Sequence, residues 1–258
     1  MRVYTNLKFL CIVCALFLTA IKTIAQDSVT THIDPSRPTN LYTRLSNNIE
    51  YNFLRNGNRT YGYRGNFIWA SKNQKQAAQI ELPLLYATSS GRFGFGDIRL
   101  RYNWIPYKDY SKKPGAFGFS IDAYLPSGNR DNGLGRGRWI VAPGISTAFV
   151  FGNFSMFPNV SYVYSSEIIR GKLPATNNAL KGYMLLNSFV YKINKKNYID
   201  CTPFFIKNSY SNGGKDDFIT EGNYLYMLKQ NKIQVGCFFR RYFYGNTTTI
   251  RASMRYYF

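Results

Sequence analysis

From Leu41 onward the chain is built on a period of two. In Asp97–Trp104, Ile98, Leu100, Tyr102 and Trp104 share one face of an extended segment, and Asp97, Arg99, Arg101 and Asn103 share the other. Phe117–Leu125 repeats the device, with Phe117, Phe119, Ile121, Ala123 and Leu125 opposite Gly118, Ser120, Asp122 and Tyr124. Tyr61–Trp69 sets Tyr61, Tyr63, Phe67 and Trp69 against Gly62, Arg64 and Asn66. Thr247–Phe258 sets Ile250, Ala252, Met254, Tyr256 and Phe258 against Arg251, Ser253, Arg255 and Tyr257. Side chains alternate across a strand, so this is strand periodicity and not the 3.6-residue repeat of a helix.

Such runs fall near 42–54, 60–71, 76–87, 95–106, 116–126, 138–151, 153–165, 181–193, 197–209, 218–229, 232–243 and 247–258, which is about twelve strands. Most are roughly 11–14 residues long; soluble strands average about 5–6, whereas a tilted strand that crosses a bilayer needs about 9–11. Short connections such as Lys72–Lys75, Gly152-Asn153, Asn194–Lys196 and Gln230-Asn231 alternate with longer ones at Ser127–Gly137, Ser166–Leu180 and Tyr210–Asp217. Short turns on one side and long loops on the other are the pattern of outer-membrane barrels. Tyr107–Gly115 is long for its side and Asn56–Arg59 short for its own. The expected fold is all-β: a closed antiparallel up-and-down transmembrane β-barrel.

Closure follows from the solvent. In lipid every backbone donor and acceptor must be paired internally, so a non-helical spanning chain has to become a barrel. Its apolar face then points outward and its polar face inward. A Lys or Arg at the lipid midplane costs about 2–4 kcal/mol, and the outward sets above contain none. Tyr61, Trp69, Tyr86, Trp104, Trp139, Tyr164, Tyr198 and Tyr256 near strand ends are expected to form the interfacial girdles. Pro83, Pro143 and Pro203 each forfeit a ladder bond, and bulges are expected there.

Ahead of the first strand, Arg2 and Lys8 precede an apolar stretch, Phe9–Ala20, and the small residue Ala25. That order reads as a secretory signal peptide over 1–25; the stretch is shorter than the roughly 20 residues of a membrane helix. Residues 26–40, with Pro35 and Pro38, read as a mobile periplasmic linker, and 41–258 as the barrel.

Composition narrows the function. Lys and Arg total 33 against 13 acids, a formal charge of +20, yet the chain is 17% aromatic, 18% charged and has no basic tract. Nucleic acid is therefore not an expected partner. Lysines instead gather in the short turns (Lys72, Lys75, Lys108, Lys112, Lys113, Lys195, Lys196, Lys232), and Arg130, Arg136, Arg138, Arg170 and Lys172 in the long loops. Outer-membrane lipids and lipopolysaccharide are the expected partners of both sets.

At Gly94–Tyr102 (GFGDIRLRY), Tyr124–Asn129 (YLPSGN), Leu134–Gly137 (LGRG) and Pro143-Gly144 the chain resembles the family of outer-membrane transporters named after the meta-cleavage pathway of phenol degradation. The resemblance covers about the middle fifth of the chain. It implies a barrel that passes small solutes across the outer membrane. The C-terminal Tyr256 and Phe258 resemble the insertion signal of outer-membrane proteins, which the barrel-assembly machinery would read.

Projecting the pleat inward gives the lumen-lining candidates Glu50, Arg64, Glu81, Asp97, Arg99, Arg101, Asp122, Glu221, Arg240, Arg251 and Arg255. An Arg-rich lumen favours anions; cross-strand neutralisation, with Arg99 and Arg101 facing Asp122 and Glu81, and Glu50 facing Arg251 or Arg255, is the preferred alternative. Catalysis is not expected, since His32 is the only imidazole and lies before the barrel. No catalytic residue, metal site or cofactor is assigned. Cys201 and Cys237, one strand apart, are about 10 Å from each other, too far for a disulfide, and read as free buried hydrophobes. The function expected is a channel or passive transporter for small solutes in the bacterial outer membrane. The alternative is a non-conducting barrel whose outer loops bind a ligand or partner.

Overall fold

The computed structural model describes residues 33–34, 36–54, 57–172, 177–209, 214–229 and 232–258. Asp34–Tyr257 forms one unit, and Phe258 falls outside it. No helix among the described residues is long and apolar enough to cross a membrane. The unit is one antiparallel sheet rolled onto itself. Its strands are β1 Arg44–Phe53, β2 Arg59–Ala70, β3 Gln76–Ala87, β4 Arg92–Phe95, β5 Arg99–Lys108, β6 Ala116–Tyr124, β7 Ile140–Phe151, β8 Phe154–Ser165, β9 Leu180–Lys192, β10 Asn197–Ser209, β11 Lys215–Lys229, β12 Ile233–Tyr242 and β13 Thr247–Tyr257. Each pairs with its neighbour, and β1 closes on β13 from Arg44↔Tyr257 to Phe53↔Thr248.

β4 and β5 are two parts of one stave, so thirteen strands make a twelve-stranded barrel. Leu84 pairs with Phe95 but Glu81 with Arg99, so the second stave spends one residue more than β3 over the same rise. That extra residue is a bulge at 96–98. Arg92–Phe95, ahead of the strand expected near 95–106, supplies β4.

The outer surface is greasy all the way round. Ile49 is 71% exposed, and Trp69, Leu100, Trp104, Ile121, Ile145, Val160, Leu185, Tyr224, Phe239 and Ile250 are exposed with it. A soluble protein rarely leaves so continuous an apolar surface bare; in a bilayer it is the favourable arrangement. Ile49→Arg is expected to destabilise the folded barrel by about 2–4 kcal/mol, and Ile49→Leu to leave it unchanged. Denaturant unfolding from lipid vesicles checks this, and equal stabilities would count against a lipid-facing Ile49.

Three expectations need correction. Tyr198 is 2% exposed and turned inward, where its hydroxyl donates to the Lys195 carbonyl (2.9 Å), so it is not part of an outer girdle. Cys201 and Cys237 are free but exposed, because they fall on the outward parity of β10 and β12. Only Pro83 of the three prolines faces a bulge, and Pro106 adds another, between Trp104 and Tyr107. At Pro143 and Pro203 pairing to one neighbour lapses, but Val141↔Tyr164 and Gly144↔Ser161, like Cys201↔Phe189 and Phe204↔Leu186, keep a single register. A missing N–H removes a bond without forcing an extra residue.

Candidate functional site

The start of β1, the end of β13 and the short turns lie at one end of the barrel, here called lower, and the longer loops at the other. Residues 36–43, expected to belong mostly to a linker, run across the lower mouth, preceded by Asp34. Asp34 accepts an ion pair from Lys192 of β9 (3.8 Å), and its N–H donates to the Tyr42 hydroxyl (2.9 Å). The Tyr42 ring meets Tyr257 of β13 edge-on (5.9 Å). Thr39 hydrogen-bonds Tyr110 in the β5–β6 turn, and Tyr110 also donates to Asn40 (3.1 Å). Burial pushes the Tyr110 hydroxyl up from its ordinary value, so it stays a donor. Arg37 lies over the same ring (4.5 Å). Leu41 forms one buried apolar cluster with Ile68, Ala77, Ile105, Ala116, Ala148, Phe157 and Val190, which come from seven different strands. The polar and proline-rich composition suggested a free linker; the single Leu in an apolar ring is what anchors it.

The upper end is narrowed by a second inward element. The loop after β6 is tied to the β4–β5 bulge by the Asp97 carboxylate, which accepts the backbone N–H groups of Gly128 (3.1 Å) and Arg136 (2.7 Å). The Ser127 hydroxyl accepts from the Ile98 N–H (2.8 Å) and donates to the Gly96 carbonyl (2.9 Å). Leu134 then packs on Leu85 and Ala87 at the top of β3. Gly128 and Gly135 press together: a Cβ on Gly135 would sit 2.5 Å from Asp97 Oδ1 and 2.7 Å from the Gly128 carbonyl. The Gly-x-Gly-Asp, Pro-Ser-Gly and Leu-Gly-x-Gly segments, distant in sequence, are therefore one latch. Gly135→Ala is expected to release the loop and expose the Arg136 peptide bond to trypsin while the barrel stays folded. Unchanged cleavage with an intact barrel would count against the latch.

Between strap and latched loop lie two chambers with no lining residue in common. The lower, about 390 Å³, is lined by strap residues with Arg101, Asp122, Asp200 and Arg255 among others. The upper, about 360 Å³, takes in Glu50, Arg64, Glu81, Asp97, Arg99, Arg240 and Arg251, with Arg136, Tyr124 and Tyr242. Of the sequence candidates only Glu221 lines neither, and it pairs with Arg240.

The charged residues form a chain around the wall from β13 to β6. Glu50 is 2% exposed and bridges two strands: Arg64 grips it twice (Nε–Oε2 2.8 Å, Nη2–Oε1 2.7 Å) and Arg251 once (3.1 Å). Arg64 also reaches Glu81 (2.6 Å). Asp122 holds Arg99 (Nε–Oδ1 2.8 Å) and Arg101 (2.5 Å). Among the described residues Arg255 has no carboxylate among its hydrogen bonds and donates instead to the Gln234 amide oxygen (3.1 Å), which also accepts the Tyr257 hydroxyl (3.0 Å). The pleat placed these residues on the inner parity; it did not show that Arg64, between two acids, is the hub. The acids are recessed and the guanidiniums stand forward of them: side-chain exposure is 1% for Glu50 against 18% for Arg251, and 11% for Asp122 against 35% for Arg101.

The quarter of the wall formed by β7–β9 is different. β7–β9 contribute Ala142, Phe157, Met184, Leu186, Val190 and small hydroxyl and amide residues, with no charged side chain among those lining either chamber. The interior is thus not uniformly polar, as expected, but amphipathic. Asp200 of β10, missed in the sequence although it lies on the inner parity, accepts Ser188 (2.9 Å) and Thr202 (2.8 Å). Arg136, expected at the outer surface with the other loop arginines, is drawn into the upper chamber because Asp97 holds its backbone N–H. Arg130 and Arg170 instead bond loop carbonyls, at Lys172 and Pro126. His32 lies outside the described residues.

Residues 38–177, more than half of the sequence, match the family described as "Putative MetA-pathway of phenol degradation". The chain belongs to that family. All the motifs of the latch fall inside the matched segment. Among solved structures, an outer membrane channel from Pseudomonas putida F1 superposes with a TM-score of 0.63 at 11% identity, covering 90% of this chain and 100% of its own. The NanC porin gives 0.61 at 9% identity, covering 82% and 98%. The KdgM porin, in complex with a disordered oligogalacturonate, gives 0.56 at 13%, covering 83% and 99%. At these identities the likeness is one of fold: an outer-membrane-type barrel. No curated protein matches the chain.

Proposed function

We propose that the protein is a passive outer-membrane channel for small solutes. The observation that carries this reading is a closed barrel, apolar outside, whose two interior chambers are lined by polar and charged side chains, in a fold shared with known channels and porins. Nothing in the arrangement calls for chemistry on the solute: the acids are engaged by guanidinium, hydroxyl or backbone donors, and no group of three or more His, Cys, Asp or Glu among the described residues suits a metal. The role read here is passive passage of the solute.

The same reading makes 1–25 the export leader and Tyr256 with Phe258 the signal for the assembly machinery, and places the aromatic and lysine-rich rims against lipid and lipopolysaccharide. The full chain, folded in detergent and inserted into planar bilayers, is expected to give small, discrete conductance steps. The strap across one mouth and the latched loop at the other set the step size below that of an unobstructed barrel. A correctly folded protein that never conducts would replace this reading with a closed barrel that binds through its loops.

A further inference from the structure

The upper chamber carries more than a charge balance. Arg99 and Arg136 flank the Tyr124 ring at 5.1 and 4.8 Å, and Arg240 and Arg251 flank Phe238 at 5.1 and 4.7 Å. The carboxylates that neutralise these arginines sit behind them. Glu50 is all but fully buried, Asp97 is occupied by backbone donors, and Glu221 is less exposed than its partner Arg240. What faces the cavity is therefore a set of guanidinium edges whose orientation is fixed by acids beneath and rings beside them. Among the described residues, Nε of Arg240 and Nε of Arg251 are buried without a hydrogen-bond partner, so the donors these guanidiniums turn to the chamber are Nη groups: Arg251 spends Nη2 on Glu50 and its side chain stays 18% exposed. A guanidinium held in place with donors to spare is a ready seat for a planar, bidentate oxyanion. At about 360 Å³ the chamber is the size of a small-molecule site and not of an ion sieve. Tyr124 and Tyr242 line the chamber beside these arginines.

We propose that the upper chamber is a binding site for small organic carboxylates, seated by Arg240 and Arg251. The proposal rests on the channel reading and names the class of solute it serves. The carboxylate replaces water on the guanidinium donors that face the upper chamber, and a solute leaving it then meets the uncharged wall of β7–β9 in the lower chamber.

Glucuronate and glucose test it, since they share a ring and differ by the carboxylate. In bilayers bathed in KCl, glucuronate is expected to reduce the current saturably and glucose to leave it unchanged. Calorimetric titration of the detergent-folded full chain should show glucuronate binding and no glucose binding. Arg251→Gln is expected to raise the half-blocking concentration roughly tenfold, the worth of one charge-assisted hydrogen bond. Because Arg240→Gln alone strands Glu221, the paired variant Arg240→Gln/Glu221→Gln serves there; it keeps the net charge, so weakened block reports the lost guanidinium and not the field. Equal block by both sugars, or half-blocking concentrations that ignore both variants, would overturn the site. A chain that binds glucuronate in the calorimeter without conducting would keep the site and refute the channel; a conducting chain that binds neither sugar would do the reverse.

Discussion

Glu50→Gln is expected to destabilise the barrel by about 3–5 kcal/mol, the cost of removing one partner from a buried ion pair. Glu50 is the acid where the first and last strands meet, and it neutralises Arg64 of β2 and Arg251 of β13 from the middle of β1. Gln fills the same space but leaves Arg251 without its carboxylate, and Arg64 with Glu81 alone. The penalty comes chiefly from stranded charge and not from a lost bond, so Glu50→Gln/Arg251→Gln should cost less than the sum of the two single changes. Equilibrium unfolding from lipid vesicles measures both. If Glu50→Gln stays within about 1 kcal/mol of the parent, as an exposed pair would, water has access to Glu50 and the closure of the barrel does not depend on it.

Deleting Asp34–Leu41 is expected to raise single-channel conductance several-fold without unfolding the barrel. The segment is held by one apolar anchor and a few polar contacts with turns and neighbouring strands, while the wall is held by its own ladder. Burial of Leu41 is worth about 1.5–3 kcal/mol, enough to seat the strap and small against the stability of the sheet. Its removal opens the lower chamber to bulk water. Tyr110→Phe, which deletes the hydroxyl shared by Thr39 and Asn40, should raise conductance less. Gel migration before and after heating reports whether the barrel is intact. An intact barrel with unchanged conductance would mean that the upper loop, and not the strap, limits the current.

Much of this was legible in the chain because strand parity is a local property. Ile98, Leu100, Tyr102 and Trp104 had to share a face whatever else the molecule did, and so did Arg99, Arg101 and Asn103. Length then decided that the apolar face meets lipid. Where a residue's surroundings depend on another segment, parity was silent. Arg136 and Arg130 look alike in sequence, six residues apart in one basic loop, yet one lines the upper chamber and the other bonds a neighbouring loop. Tyr198 has the residue type and position of a girdle aromatic and the parity of an interior one. Arg64 reads as one charge among eleven candidates; only closure brings Glu50 and Glu81 to either side of it.

By itself the sequence determined a long-stranded antiparallel wall, which residues belong to each of its faces, and the family motifs at Gly94–Asp97, Pro126–Gly128 and Leu134–Gly137. Alternation and strand length are set by the backbone's own two-residue geometry and by a bilayer's thickness, so neither needs a partner segment to be read. Only the tertiary structure decided that these motifs form one latch, that Leu41 anchors a strap across the mouth, and that the chambers are left uncharged along β7–β9. Those outcomes depend on which strands become neighbours when the cylinder closes and on what fits between the walls, and no stretch of chain carries that information alone.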